Sequence, residues 1–356
     1  MHGPLREGRL AFAVARIAHA DRPKKNCGKE REMTEDHTHA RGTANHPPLT
    51  RVIALGNQKG GCGKTTNTVH LAAALGELGK KVLVIDLDAN CGATRALGLG
   101  TEWLGTFEAL LGEPVEDMIL RTDPAEGIEL PPNVELLPAR RQLEDFEQEV
   151  RARNKFQDPT TTLQPVVDGL MGEYDFILLD TAPRADAPTV AAYRATQWFI
   201  LSTEASPLSV QGLNDALGDI VAVREAGNAQ LRLLGVVLCK MDGRTRIAAE
   251  YLSRIRAEFE AAGEMGAFET VIGRTTEVER AQDAGKTLFE SAPDHKVTNQ
   301  FRELAREVLT RIGVAYEVEH GESDASPEPE VTLNPRGGGG GGSTPVTEPE
   351  EERRHA

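Results

Sequence analysis

The segment best equipped for chemistry is a glycine-rich run with two lysines and two threonines. It spans residues 59–66 and reads KGGCGKTT. The apolar residues 52–55 predict a buried strand before it, and apolar residues at helical spacing over 67–78 predict a helix after it. A glycine-rich turn between a strand and a helix presents backbone N–H groups and the positive end of the helix dipole to an anion. The segment therefore predicts a phosphate-binding loop.

The side chains of this loop indicate which phosphate compound it would hold. Lys64 would contact the β- and γ-phosphates of a nucleotide, and the Thr65 hydroxyl would be a ligand of Mg²⁺. The general form of such a loop has a glycine where this sequence has Gln58. The residue after it, Lys59, is a second lysine that the general form lacks. The candidate nucleotide-binding residues of the loop are Lys59, Gly60, Gly61, Cys62, Gly63, Lys64, Thr65 and Thr66.

Two further predicted strands end in aspartates. Residues 81–88, KVLVIDLD, end in Asp86 and Asp88, and residues 174–183, YDFILLDTAP, contain Asp180 where the apolar run stops. Open α/β sheets bind ligands at the carboxyl ends of their strands. We therefore expect these carboxylates beside the phosphates, with Asp180 holding Mg²⁺ through water.

Together these segments resemble the deviant Walker A family of ATPases, which includes ParA, MinD and Soj. The early lysine, Lys59, is the residue that distinguishes this family from other P-loop proteins. Residues 233–246 (LLGVVLCKMDGRTR) and 270–286 (TVIGRTTEVERAQDAGK) resemble later segments of ParA and Soj, and residues 292–308 resemble their closing helix. The resemblance spans residues 51–313.

The resemblance implies a reaction and a division of roles. The cofactors would be ATP and Mg²⁺, and ATP would be hydrolysed slowly to ADP and phosphate, with stimulation by a ParB-like partner. Lys59 would cross the interface of an ATP-bound homodimer, Asp88 would orient the attacking water, and Asp86 would contact the Mg²⁺ water shell. The candidate catalytic residues are Lys59, Lys64 and Asp88, and the candidate metal residues are Thr65, Asp86 and Asp180.

Two segments depart from the family pattern. Where the family usually reads DPQGNAT, residues 88–94 read DANCGAT, so we expect a different rate of hydrolysis. In the family, the residues after TVI close over the adenine. Gly273 and Thr275 are therefore candidate contacts to the base, although the family usually has proline and asparagine at these positions.

Basic residues near this region predict DNA binding. Thr276 and Glu279 have the spacing of a capping box, which predicts a helix that starts there and ends at Gly285. The basic residues around it would then share one surface, and ParA proteins bind DNA without sequence preference through such residues, for which phosphate contacts suffice. The acidic balance of the chain, with a net charge of −15, opposes this interpretation. The candidate DNA-binding residues are Arg274, Arg280, Lys286 and Lys296.

Strands alternate with helical stretches along most of the chain. This order predicts an α/β fold with a doubly wound, mainly parallel sheet and helices on both faces. The predicted strands are Arg51–Gly56, Val82–Asp86, Val134–Leu137, Phe176–Asp180, Trp198–Thr203, Leu233–Cys239 and Glu269–Ile272.

The chain divides by composition into one large domain and two extensions. Residues 51–316 form the predicted ATPase domain, residues 1–50 a disordered extension, and residues 317–356 a disordered acidic tail with six consecutive glycines. Lys29 and Glu30 can be encoded by AAGGAG, a purine-rich ribosome-binding sequence two codons upstream of Met33, so Met33 is a candidate true start, and Met1 stays open as the alternative.

Other functions fit the sequence less well. A membrane-binding ATPase like MinD needs a basic amphipathic helix at the C-terminus, whereas this end is acidic and glycine-rich. No helix-turn-helix is readable before Arg51, which argues against an operator-specific repressor. The four cysteines form no CxxC pair, which favours a reduced cytoplasm, where DNA binding would place the protein on the nucleoid. The open alternative is a polar or assembly-positioning scaffold that uses ATP as a dimer switch with negligible turnover. The cargo, whether chromosome, plasmid or protein assembly, cannot be read from the sequence.

Overall fold

The structure is a computed structural model that describes residues 49–204, 209–241 and 249–316, except residues 251, 254, 258 and 260–265. Residues 1–48 and 317–356 of the two predicted extensions, the choice between Met1 and Met33, and residues 242–246 at the end of the LLGVVLCKMDGRTR segment lie outside these ranges.

Seven strands form one sheet, and every neighbouring pair is parallel. Their order is β3-β2-β4-β1-β5-β6-β7, so the strand before the glycine-rich loop lies at the centre. The strands are β1 (Arg51–Gly56), β2 (Val82–Asp86), β3 (Val134–Leu137), β4 (Phe176–Asp180), β5 (Trp198–Glu204), β6 (Arg232–Met241) and β7 (Ala267–Gly273).

The first four strands have the predicted bounds, and the last three are longer than predicted. The additional residues find ladder partners on the neighbouring strand: Glu204 pairs with Cys239, and Met241 pairs with Gly273. Backbone N–H and C=O groups at a strand end have to be hydrogen-bonded when they are buried. Hydrogen bonding to the neighbouring strand therefore extends a strand beyond its apolar run.

Helices connect the strands in sequence. They are α1 (Lys64–Glu77), α2 (Gly92–Ala96), α3 (Thr106–Leu110), α4 (Phe146–Arg153), α5 (Leu163–Gly169), α6 (Ala187–Ala195), α7 (Ser209–Glu225), α8 (Glu277–Asp283), α9 (Leu288–Ser291) and α10 (Lys296–Ile312). Short 3₁₀ turns lie at Glu116–Met118, Arg141–Asp145 and Pro159–Thr161.

Helix α8 starts where predicted, with Thr276 at its N-cap, but it is capped differently. The Thr276 side chain makes no capping hydrogen bond, so the predicted capping box is wrong. The hydroxyl of Thr275 accepts a hydrogen bond from the Glu277 N–H at 3.1 Å instead, one residue earlier. The glycine expected at the end of this helix is Gly285, which has a left-handed φ of 64° and lies two residues after the last helical residue.

Alternate residues of the central strands pack into different cores. Val52 and Ala54 of β1 join a cluster with residues from α4 to α7, whereas Ile53 and Leu55 join a second cluster with α1 and α10. Both faces of the sheet are therefore covered, which confirms the predicted doubly wound architecture. Within the described ranges, we find no helix long and apolar enough to cross a membrane.

Candidate active site

The glycine-rich loop runs from the end of β1 to the start of α1. Gly61 and Gly63 have φ values of 75° and 89°, a left-handed conformation that glycine adopts without a steric penalty. Asn57 fixes the start of the loop, because its Oδ1 accepts from the Lys59 N–H at 2.9 Å and its Nδ2 donates to the Ser202 carbonyl at 2.7 Å. The loop is thus anchored to β5 before it reaches the helix.

The two lysines of the loop have different surroundings. Lys64 is buried at the first position of α1, and its Nζ donates to the Lys59 carbonyl at 3.4 Å. The Nζ of Lys59 lies 3.4 Å from Oε2 of Glu204, the last residue of β5. The distinguishing lysine therefore contacts a carboxylate of its own chain, a contact that the sequence did not predict.

Asp86 and Asp180 lie side by side at the carboxyl ends of β2 and β4. Both are fully buried. Burial raises the pKa of Asp180 to about 8, with a further rise from the charge of Asp86, while the hydrogen bond from Thr65 opposes the shift. Burial also raises the pKa of Asp86 to about 6, and hydrogen bonds from Thr94 oppose it.

Two hydroxyls of α1 contact Asp180. Thr65 Oγ1 donates to Oδ2 at 2.8 Å, and Thr68 Oγ1 donates to Oδ1 at 3.1 Å. The predicted metal residues Thr65 and Asp180 are therefore in direct contact. Thr68 was missed, and only its helical spacing of three from Thr65 could have indicated it.

These groups fit a magnesium ion. Burial disfavours the ionised form of both carboxylates, and a divalent cation bound beside them would favour it. The described residues contain no cluster of three His, Cys, Asp or Glu that could enclose a metal alone. Mg²⁺ typically takes one or two protein oxygens and completes its shell with water and substrate phosphates, so such a cluster is not required.

Asp86 also holds the loop that follows β2. Its Oδ2 accepts from the backbone N–H and the hydroxyl of Thr94, at 2.9 and 2.8 Å. Its Oδ1 accepts from the Asp88 N–H at 3.1 Å. The Thr94 hydroxyl in turn accepts from the Ala139 N–H at 3.0 Å, so this aspartate organises residues 88–94 as well as lying beside Asp180.

Asp88 lies in that loop and is nearly buried. Its Oδ1 accepts two hydrogen bonds from Asn90, one from the backbone at 2.9 Å and one from the side chain at 3.0 Å. The next residue, Cys91, has a left-handed φ of 56° and begins α2. A Cβ atom at Gly92 would lie 3.1 Å from Thr65 Oγ1, so the loop returns to the start of α1. The three predicted aspartates therefore converge on one edge of the sheet.

The candidate base contacts lie at the same edge, on the outermost strand. Gly273 ends β7, and its N–H donates to Oε1 of Gln300 at 2.9 Å. Thr275 uses its hydroxyl to cap α8. Two strands, β5 and β6, separate β7 from the strand that enters the phosphate loop. Gln300 is a residue that sequence patterns did not indicate.

His70 links α1 to the C-terminal elements. Its Nδ1 donates to the Thr66 carbonyl at 2.8 Å, and its Nε2 accepts from the Leu288 N–H at 3.1 Å. The ring stacks on Phe301 with centroids 4.7 Å apart. Burial lowers the pKa of His70 to about 4, so the neutral ring with a proton on Nδ1 is the form that satisfies both contacts.

Helices α2 and α8 end in glycines that touch. Gly98 follows α2 with a φ of 78°, and a Cβ atom there would lie 2.5 Å from the carbonyl oxygen of Gly285. A Cβ atom at Gly285 would in turn lie 2.7 Å from the Cα of Gly98. The segment that follows Asp88 thus meets the segment after Thr275 backbone to backbone.

The four candidate DNA-binding residues are all exposed and lie between the end of β7 and the first residue of α10. They are mixed with exposed acidic residues. Arg280 pairs with Glu277 at 2.7 Å, and Glu279, Asp283 and Asp294 are exposed in the same stretch. The positive charge of this surface is therefore partly compensated within the chain.

The three cysteines of the described residues are free and buried. Burial raises the pKa of Cys91 to about 11 and that of Cys239 to about 12, and it also raises the pKa of Cys62. Thiols with raised pKa values are poor nucleophiles and poor metal ligands. Cys62 instead donates from Sγ to the Lys59 carbonyl at 3.1 Å, which braces the loop.

Comparisons with known proteins agree with this geometry. A protein-family model described as an AAA domain matches residues 50–233. The chain is 36% identical over 263 residues to the chromosome-partitioning ATPase Soj of Thermus thermophilus, covering 74% of this chain and 96% of Soj. It is 30% identical to the chromosome partitioning protein ParA of Caulobacter vibrioides, covering 73% and 94% of the two chains.

A solved structure shares the fold. It is the cobyrinic acid a,c-diamide synthase of Mycobacterium smegmatis with a bound ATP analogue and magnesium, which matches with a TM-score of 0.61 and 27% identity over 74% of this chain and 96% of the synthase. The central loop, the paired aspartates and these matches define a P-loop ATPase whose cofactors are ATP and Mg²⁺. The chain belongs to the ParA/MinD family of deviant Walker A ATPases, among its ParA and Soj members.

Proposed function

We propose that this chain is a partitioning ATPase that dimerises on Mg·ATP, binds double-stranded DNA without sequence preference, and moves a chromosome, a plasmid or a protein assembly. A ParB-like partner would stimulate slow hydrolysis and release the dimer from the DNA. The observation that carries the proposal is the position of Lys59, at the mouth of the phosphate loop and partly exposed, where its ammonium can exchange one anionic partner for another. The protein would act in the cytoplasm, on the nucleoid.

The chain's own residues supply positioning and charge. Lys64, buried at the start of α1, would neutralise the β- and γ-phosphates. The N–H groups of residues 60–66 would cradle the phosphate oxygens. Thr65 and Asp180, with Asp86 in the adjoining strand, would hold Mg²⁺, which supplies charge stabilisation for the transferring phosphoryl group.

Asp88 would orient the attacking water. Both hydrogen bonds from Asn90 end on its Oδ1, so Oδ2 is the oxygen that we assign to the water. Water attacks the γ-phosphorus, the bond to the bridging oxygen of ADP breaks, and inorganic phosphate leaves. In the dimer, Lys59 would leave Glu204 and contact the phosphates in the other subunit.

The base and the DNA would be bound elsewhere on the same edge of the sheet. Gly273 and Thr275 would border the adenine. Arg274, Lys286 and Lys296 would contact DNA phosphates, and Arg280 would first have to release Glu277. Because the neutralisation of DNA phosphates by basic side chains releases counterions, we expect this binding to weaken steeply as salt is raised.

A second candidate function is a scaffold that uses ATP only as a dimer switch. The double hydrogen bond from Asn90 favours it, since it stabilises the Asp88 carboxylate in one position. Sedimentation in ATP and in ADP, together with phosphate release with and without DNA, separates the two functions. An ATP-specific dimer that binds DNA and turns over supports the partitioning ATPase, whereas a dimer with no measurable turnover and no DNA binding supports the scaffold.

A further inference from the structure

Three charged side chains form one chain of ion pairs beside the phosphate loop. Glu204 lies between two lysines: its Oε2 is 3.4 Å from Lys59 Nζ, and its Oε1 is 3.5 Å from Lys240 Nζ. Lys240 Nζ also donates to the Gly61 carbonyl at 2.7 Å. Sheet register explains the meeting, because Glu204 ends β5 and is paired with Cys239, the residue before Lys240 on β6.

The backbone at Lys240 is unusual. Its φ of 52° is left-handed, a conformation that is unfavourable for a lysine and is found where surrounding contacts impose it. Here the conformation comes with the short contact between the Lys240 ammonium and the loop carbonyl. The strained backbone at the end of β6 therefore coincides with a second ammonium group, that of Lys240, at the mouth of the phosphate loop.

Lys240 can neutralise the carboxylate of Glu204 when Lys59 is no longer paired with it. When Lys59 leaves for the other subunit, a carboxylate that is only 28% exposed would remain close to the loop that holds the nucleotide phosphates. A like charge near an anionic ligand disfavours its binding. Lys240 is attached to the loop through Gly61 rather than through Lys59, so it can remain with Glu204 after the exchange.

We propose that Lys240 is a positioning residue for the ATP-bound dimer: it keeps Glu204 neutralised while Lys59 exchanges Glu204 for the nucleotide of the other subunit. The inference rests on the proposed function, in which Lys59 crosses the dimer interface. In addition, Glu204 holds Lys59 in the monomer, and Lys240 sets the strength of the ion pair between Glu204 and Lys59.

The proposal predicts opposite effects for the two substitutions. Glu204→Gln removes the monomer partner of Lys59, so the ATP-dependent dimer should tighten by about two- to five-fold, the range expected for a partly exposed ion pair. Lys240→Met leaves Glu204 uncompensated, so the dimer should weaken by about three- to ten-fold. In the Glu204→Gln background, Lys240→Met should change the dimer dissociation constant by less than about two-fold, since the carboxylate charge that Lys240 compensates is gone.

The dimer dissociation constant is measured by sedimentation with a slowly hydrolysed ATP analogue for the wild type, both single variants and the double variant. Lys81→Met is the matched control, because it removes one exposed lysine at the start of β2, at the opposite edge of the sheet. An equal loss on Lys240→Met in both backgrounds would overturn the proposal, since Lys240 would then act independently of Glu204.

A second measurement does not depend on dimerisation. Amine labelling of the nucleotide-free protein, read by mass spectrometry, should modify Lys59 faster in Glu204→Gln and more slowly in Lys240→Met. Unchanged labelling in both variants would overturn the pairing. If the wild type fails to dimerise in ATP while labelling follows this pattern, the proposed function is wrong and the Lys59–Glu204–Lys240 pairing stands.

Discussion

Asp86 and Asp180 occupy paired positions on neighbouring strands, and hydroxyls from two helices hold them: Thr94 donates to the first, and Thr65 and Thr68 donate to the second. Burial is the main cause of the raised pKa of both carboxylates, and the charge of Asp86 raises the pKa of Asp180 further. Burying two neighbouring carboxylates is costly, and the Mg²⁺ ion proposed to bind here with the nucleotide would offset that cost.

Lys64→Ala is expected to weaken ATP binding by at least about 10- to 100-fold, since it removes a buried charge-assisted contact to the β- and γ-phosphates. Calorimetric titration with ATP and Mg²⁺ measures the change. Lys81→Ala, which removes an exposed lysine away from the site, is the control. Equal affinities in Lys64→Ala and the wild type would contradict the assignment of the phosphate loop.

Asp88→Ala is expected to keep ATP binding and ATP-dependent dimerisation and to lower hydrolysis by at least about 100-fold, because the residue that orients the water is lost. Phosphate release is measured beside sedimentation, so that the trapped dimer and the lost turnover are observed on one sample. Turnover at the wild-type rate would make Asp88 a purely structural residue of the loop that Asp86 holds.

The DNA surface is tested by charge reversal. Arg274→Glu combined with Lys296→Glu should abolish binding to a DNA column in ATP at salt concentrations where the wild type binds, because each phosphate contact adds a modest share and reversal adds repulsion. ATP affinity should be unchanged. The control is Lys80→Glu combined with Lys81→Glu, which makes the same change in charge next to β2. Wild-type salt resistance in the first pair would move the DNA surface elsewhere.

His70 makes part of the stability depend on pH. Its pKa is lowered from 6.5 to about 4 in the folded chain, so the unfolded state binds the proton more readily between these values. The contribution is present above pH 6.5 and is lost as pH falls towards 4, by about 2 kcal/mol between pH 7 and pH 5. Asp86 and Asp180 have raised pKa values and act in the opposite direction.

The contribution of His70 to the pH dependence of stability is isolated by comparing the unfolding free energies of two proteins. Urea unfolding of the wild type and of His70→Gln at several pH values removes the contribution of the two aspartates, which is common to both proteins. The gap in unfolding free energy should shrink as pH falls from 7 to 5. A gap that stays constant over this range would show that the ring is not forced to remain neutral.

Gly98→Ala is expected to lower the free energy of unfolding by about 2–4 kcal/mol, because a left-handed alanine is strained and its Cβ would meet the Gly285 carbonyl. Gly79→Ala is the matched control: its φ of 72° is similar, but nothing lies within 4 Å of an added Cβ. It should show the strain alone, about 1–2 kcal/mol. Equal losses in thermal or chemical unfolding would mean that the contact with Gly285 yields easily.

The sequence predicted the elements that carry local signals and missed the contacts that depend on packing. Strands β1 to β4 have the predicted bounds because their apolar runs end sharply at glycine, aspartate or turn residues. The contact between His70 and Leu288 joins residues 218 positions apart, and no pattern around either residue indicates it. In the sequence, Glu204 is a polar residue that follows a predicted strand, and no pattern distinguishes it from other residues in such positions. Its meeting with Lys59 and Lys240 depends on the strand order, which places β5 beside both β1 and β6.

The meeting of Gly98 with Gly285 has a mechanical consequence. Side chains can rotate to absorb a displacement, but two backbones in van der Waals contact transmit it, since packed interiors compress little. Residues 88–98 run from Asp88, the proposed water-orienting aspartate, through α2 to this contact, and Gly285 ends the segment that we propose borders the adenine and contacts DNA. Under the proposed function, a shift of residues 88–98 during turnover would therefore move the segment proposed to face DNA, so phosphate release and DNA release would be mechanically coupled.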